Sequence, residues 1–242
     1  MGDLHRFYAS DLSPDEVRLD PAEGHHAANV LRLAPGSDVE LFDGRGGKAA
    51  GRIARVGRSD VAVAILRREA PAARPRPLVH LAFSTPKGKR LDWLLEKATE
   101  LGAASLCPVV FERSVAGGEL TDAKRQRRLG HCVAAAKQCG LDFLPQLRPP
   151  VRLADFLATL GGSATLVGDL ADDAQPLPQA LRNLHADQDV CLLVGPEGGL
   201  AEGERAAVLA AGVRPVRLGG TVLRIETAAI ALLAATVALC HR

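Results

Sequence analysis

The 242-residue chain reads as an α/β protein with a mainly parallel sheet, preceded by a small β-rich module. Three observations carry that reading. From residue 78 onward, short apolar runs alternate with helical periodicity, the pattern of strand–helix units wound into a parallel sheet. Before residue 70 the apolar runs are short, closely spaced and joined by turn residues, which suggests a small barrel. Near the C-terminus lie two glycine-containing loops, Gly195-Pro196-Glu197-Gly198-Gly199 and Leu218-Gly219-Gly220-Thr221-Val222-Leu223-Arg224. Each follows an apolar run (190–194 and 216–218) and precedes a helical pattern. If the two strands are parallel, both loops emerge at their carboxyl ends, where open α/β sheets bind ligands.

The elements follow in order. Residues 17–19 read as a strand. Asp20-Pro21-Ala22-Glu23 supplies an N-cap aspartate, a proline at the first helical position and a glutamate at the third, so a helix starts there and runs towards Leu33, stopping before Pro35-Gly36. Residues 39–42 form a strand and Asp43-Gly44 signals a hairpin. Residues 48–56 and 60–66 are further strands, separated by Gly57-Arg58-Ser59. The first domain thus covers 1–70. Residues 71–77, with Pro71, Pro75 and Pro77, form an extended linker, and the second domain covers 78–242. In it, 78–83 is a strand. Leu91, Leu94, Leu95, Ala98 and Leu101 share one helical face, ended by Gly102. Strands follow at 105–110 and 164–168. A helix around Leu129–Ala136 carries Lys124, Arg125, Arg127, Arg128 and Lys137 on its outer face. The helix 202–211 ends at Gly212, and residues 225–239 form a last helix that is apolar nearly all round and therefore buried.

Composition narrows the function. Net charge is +2, yet residues 73–153 carry +7, against −1 before them and −4 after them. The middle is a candidate footprint for a polyanion, with a solvated helix surface as the alternative. The five cysteines form no C-x-x-C pair, so free thiols are expected and a zinc cluster or disulfide framework is not. His25 and His26 are adjacent and read as surface or packing residues rather than metal ligands. No metal is expected. Residues 1–10 lack the apolar core of a signal peptide, and the apolar stretch 227–239 is too short to span a bilayer, so the reading is a soluble, cytoplasmic protein.

The loops also constrain their ligand. Neither contains a lysine or matches a phosphate-binding pattern. Glu197 in the first loop and Glu226 just beyond the second would repel a phosphate. A ligand with an aromatic ring, a sugar and a positive centre fits better.

Four motifs then resemble one family. They are Leu193-Val194-Gly195-Pro196-Glu197-Gly198-Gly199 with Leu218-Gly219 and Leu223-Arg224-Ile225-Glu226-Thr227-Ala228; Lys87-Gly88 with Trp93 and Lys97-Ala98-Thr99-Glu100-Leu101-Gly102; Glu112-Arg113-Ser114; and His26 with Val30-Leu31-Arg32, Gly36 and Asp43-Gly44. Together they are similar to the RsmE family of 16S ribosomal RNA methyltransferases in the SPOUT superfamily, over about residues 6–236. The resemblance implies a SPOUT α/β-knot with a deep C-terminal trefoil knot, a PUA-like N-terminal barrel that binds RNA, S-adenosyl-L-methionine as cofactor, and a homodimer. It implies methylation of N3 of a uridine near the 3′ end of 16S rRNA, in the 30S subunit. Alternatives are a SPOUT enzyme for another RNA site and a non-catalytic ribosome-assembly factor. Where the family has a glutamate–glutamine pair, this chain has Lys137-Gln138, and Ala201 replaces a usual serine helix cap.

Under this resemblance the cofactor-binding residues are Gly195, Pro196, Glu197, Gly198, Gly199, Leu218, Gly219, Leu223, Arg224, Thr227 and Ala228. Arg224 is the candidate for stabilising the uracil anion, with a brace to Glu197 or Glu226 as the alternative. Glu197 is the candidate near the sulfonium or for accepting a proton, with loop capping as the alternative. Arg6, Arg32, Lys87, Lys89, Arg90, Arg113 and Gln138 are the RNA-binding candidates.

Overall fold

The computed structural model describes residues 4–57, 60–114, 120–161 and 163–240. Arg58 and Ser59 of the expected turn lie outside them. The chain forms two compact units: residues 1–74 with 136–144, and residues 75–135 with 145–242. The expected second domain, 78–242 without interruption, therefore lends an internal segment to the first unit.

The first unit holds β1 (His5–Tyr8), β2 (Glu16–Arg18), α1 (Pro21–His25), β3 (Asp38–Phe42), β4 (Lys48–Val56) and β5 (Val61–Arg68), with strand order β1-β3-β4-β5-β2. β1, which the sequence reading lacks, runs parallel to β3, and the other pairings are antiparallel. Alternation in the strands puts Phe7, Val17, Val39, Leu41, Ile53, Val61 and Val63 into one core. Asp20 caps α1 by accepting the Glu23 N–H at 2.8 Å. The expected helix to Leu33 continues only as a π-turn, His26–Val30. Arg32 then adopts a left-handed φ of 53°, which ends the helix before Pro35 is reached.

The segment 136–144 joins this unit through charge. Lys137 lies 2.8 and 3.0 Å from the two carboxylate oxygens of Glu23, and 5.0 Å from the Phe7 ring centroid. Arg6 pairs with Glu40 at 2.6 Å and Asp142 at 2.5 Å. The Lys137 departure from the family pattern is thus an internal ion pair, not an outer-face charge.

The second unit contains β6 (Val79–Ser84), α2 (Lys89–Glu100), β7 (Ser105–Val110), α3 (Asp122–Cys139, its last turn belonging to the first unit), β8 (Gln146–Leu147), β9 (Val151–Arg152), α4 (Leu153–Ala158), β10 (Ala164–Gly168), β11 (Gln175–Pro176), α5 (Leu177–Arg182), β12 (Val190–Val194), α6 (Glu202–Ala210), β13 (Arg214–Arg217) and α7 (Ile225–Cys240). The strand order is β11-β13-β10-β12-β6-β7-β8, with β9 on β7, and every pairing is parallel. The expected parallel α/β sheet is present. Its central strands are buried on both faces, hence their continuous apolar runs. Gly102 and Gly212 take positive φ directly after α2 and α6, as expected of C-terminal caps. The helix α7 packs on β6 and β12 and against α2 and α5, burying Ala229, Leu232 and Leu233.

Candidate functional site

The two glycine loops leave β12 and β13 at the same edge of the sheet, with β10 between these strands. β12 to β13 is a crossover past β10, so the chain reverses its direction of winding there. Such a switch point opens a crevice at the carboxyl ends of the strands. Here it is a cavity of about 510 Å³, within the size range of small-molecule sites.

The cavity is lined by Gly195, Pro196, Glu197, Gly198 and Gly199 from one loop and by Leu218, Gly219 and Leu223 from the other, with Ala228 from α7. Arg224 and Thr227 are exposed and lie outside this lining, next to residues that belong to it. Among the described residues the Arg224 side chain makes no hydrogen bond or ion pair, so the expected brace to Glu197 or Glu226 is absent. The sequence reading also misses the floor. Gly168, Asp169, Leu170 and Ala171, at the end of β10, line the cavity together with Arg205 of α6. The strand 164–168 was legible; its position between the two loop-bearing strands is a long-range pairing that local pattern does not encode.

The two loops differ in construction. In the first, Gly199 takes a φ of +71° and donates its N–H to the Pro196 carbonyl at 2.9 Å. Arg113 donates to the Gly198 carbonyl at 2.8 Å. Glu204 accepts the Ala201 N–H at 3.0 Å and the Glu112 N–H at 2.7 Å. The missing serine cap is thereby replaced by the glutamate half of a capping box. In the second loop, Gly219 and Gly220 have open space around the position a Cβ would take, and neither has a positive φ. Nothing in the protein itself requires glycine there; the empty cradle suits a ligand approaching the backbone.

The charged lining is balanced, two carboxylates against two guanidinium groups. Asp169 and Glu197 both face the cavity. The lining holds two cations: Arg205, held by Asp169 at 3.1 Å and by Asp173, and Arg217, which is exposed and has no side-chain partner among the described residues. These hydrogen bonds push the Arg205 guanidinium up and the Asp173 carboxyl down from their ordinary values. The apolar, glycine-edged walls fit a nucleoside, and Glu197 supplies a carboxylate that can face a positive centre.

The cationic candidates separate. Arg6 is engaged within the protein: its side chain is 13 % exposed and paired with Glu40 and Asp142. Arg32, Lys87, Lys89 and Gln138 are exposed, and their side chains have no partner among the described residues. Arg113 is engaged with Gly198. Arg90 lies 3.4 Å from Glu197 and 3.6 Å from Glu226. Among the described residues no group of three or more His, Cys, Asp or Glu could hold a metal, and no helix is long and apolar enough to cross a membrane.

Comparison with known proteins agrees with this geometry. The RNA methyltransferase domain family matches residues 74–237, and the RNA methyltransferase PUA domain family matches 19–66. The ribosomal RNA small subunit methyltransferase E of Mycobacterium tuberculosis is 36% identical, over 98% of this chain and 92% of its own. The crystal structure of the enzyme of that name from Neisseria gonorrhoeae, bound to S-adenosyl methionine, is 28% identical with a TM-score of 0.84, covering 98% of both chains. A Legionella pneumophila protein solved with the same cofactor is 31% identical with a TM-score of 0.87, again over 98% of both chains.

Proposed function

The chain belongs to the ribosomal RNA small subunit methyltransferase E family, and we propose that it transfers a methyl group from S-adenosyl-L-methionine to N3 of one uridine of 16S rRNA in the 30S subunit. The observation that carries this reading is the two-loop cavity. Its empty backbone cradle at Gly219 and the Glu197 carboxylate suit a sulfonium nucleoside.

The cofactor, when bound, supplies an electrophilic methyl group. Gly195, Pro196, Gly198, Gly199, Leu218, Gly219, Leu223 and Ala228 hold its adenosine part by backbone contact and apolar walls, with Thr227 at the edge. Glu197 offers its carboxylate to the positive centre. Uridine N3 carries a proton that must leave before or during attack, and the resulting charge spreads over O2 and O4. Arg224, exposed and without a partner among the described residues, is one candidate for neutralising that charge. Lys87, Lys89 and Arg113 beside the sheet edge, and Arg32 and Gln138 on the first unit, serve as RNA contacts. Such contacts make binding salt-dependent. The reading includes a PUA-like RNA-binding first domain, a trefoil knot formed by the last helix, a homodimer and a cytoplasmic location.

The test is genetic and chemical. The 30S subunits of a strain lacking this gene should miss one methyl on a uridine N3, and the purified protein should restore it with S-adenosyl-L-methionine. Unchanged modification in that strain refutes the substrate. RNA binding without any calorimetric cofactor signal would favour an assembly factor.

A further inference from the structure

Among the described residues of the second unit, Glu226 is the buried acid. It sits in the first turn of α7, 8 % exposed, and its Oε2 has no hydrogen-bond partner among the described residues. Its other oxygen faces the Arg90 Nε at 3.6 Å. A carboxylate so enclosed is costly unless a cation lies beside it, and Arg90 is that cation. The same guanidinium reaches the cavity through Glu197, at 3.4 Å from Nη1. Both contacts are long, and the Arg90 side chain remains 44 % exposed. Arg90 has five N–H donors, more than these two contacts engage. A guanidinium anchored from behind by a fixed acid, with donors free at the rim of the cofactor cavity, is built to meet a negative group there.

We propose that Arg90 contacts the uracil ring and stabilises its anion during methyl transfer, with Glu226 as the positioning residue that holds the guanidinium. This rests on the methyltransferase reading above. The N3 proton passes to solvent, leaving a negative charge shared by O2 and O4. That charge is discharged as N3 bonds to the methyl carbon and the sulfonium takes the electron pair of the bond that breaks. A planar guanidinium suits a carbonyl oxygen of that anion, and it acts at the ring rather than on the RNA backbone. Arg90 is thus separated from its neighbours Lys87 and Lys89, whose side chains have no partner among the described residues and remain phosphate contacts.

The test compares wild type, Arg90→Gln, Arg90→Lys and Glu226→Gln on unmethylated 30S subunits, at saturating RNA and cofactor and across pH. For Arg90→Gln, turnover near neutral pH should fall about 10²-fold. The deficit should shrink as pH rises and the free uracil ionises by itself. Glu226→Gln should show the same pH trend at smaller amplitude. RNA affinity and calorimetric cofactor affinity should stay within about twofold, under half a kcal/mol. Arg90→Lys, which keeps charge but not the fork, should recover part of the loss. Unchanged turnover in Arg90→Gln, with weaker RNA binding and a salt slope reduced by about one, would make Arg90 a phosphate contact and overturn the proposal. A deficit equal at every pH would also overturn it. A wild-type protein that methylates no uridine would instead refute the reading on which the assignment rests.

Discussion

The two glycine loops look alike as sequence and are built in opposite ways. The loop after β12 is tied down by Arg113 on Gly198, by Glu204 on Ala201 and by its own turn at Gly199. The loop after β13 has no such ties among the described residues: Val222 is 78 % exposed, and Gly219 and Gly220 face open space. One wall of the cavity is therefore pre-formed and the other is left for the ligand to complete. A rigid wall fixes where the ligand sits; an open one lets ligand and substrate enter.

The largest effect expected from breaking this contrast is at the end of the open loop. Arg224→Ala should lower turnover about 10²- to 10³-fold while changing RNA affinity far less, as read from single-turnover rates beside filter-binding curves. Equal loss of both would remove Arg224 from the reaction. Next is the empty cradle. A Cβ at Gly219 has no protein atom within 4 Å, so thermal stability of Gly219→Val should hold. The ligand should meet it as overpacking worth about 1–3 kcal/mol, ten- to hundredfold in calorimetric cofactor affinity. The closed loop should answer in the opposite sense. Glu204→Ala frees two backbone N–H groups and should cost about 1 kcal/mol of stability in denaturant titration, with a smaller loss of cofactor affinity than Gly219→Val causes. The smallest effect concerns the sheet beneath. Burial pushes the Cys191 thiol on β12 up to about 12 and the Cys132 thiol up to about 11. A thiol reagent at pH 8 should therefore label exposed Cys139 first and reach Cys191 and Cys132 only on unfolding. Because both values are raised in the folded state, stability is intact below the ordinary thiol value of 9.0 and declines as pH climbs from there towards 12.

Much of this was legible in the sequence, for reasons that are local. Strands Lys48–Val56, Ser105–Val110, Ala164–Gly168 and Val190–Val194 fall where apolar runs place them. Asp20, Gly102 and Gly212 mark helix ends because capping and positive φ depend on single residues. Nearly half of the cavity lining comes from the two loops alone. What escaped is non-local. β1 is a strand because β3 lies beside it, and Asp169 joins the site because β10 lies between β12 and β13. Lys137 and Arg6 read as surface cations until their partners, Glu23, Glu40 and Asp142, are brought to them from far along the chain. α4 and α5 are six residues each, too short for helical periodicity to rise above the loop composition around them.

The central claim is that the pre-formed and open loops together present a methyl group to a uracil ring. Its most direct test is transfer from isotopically labelled S-adenosyl-L-methionine to 30S subunits lacking this modification, followed by nucleoside mass analysis. The account predicts one labelled N3-methyluridine per subunit. Label on a ribose oxygen or on another base, or none at all, would contradict it.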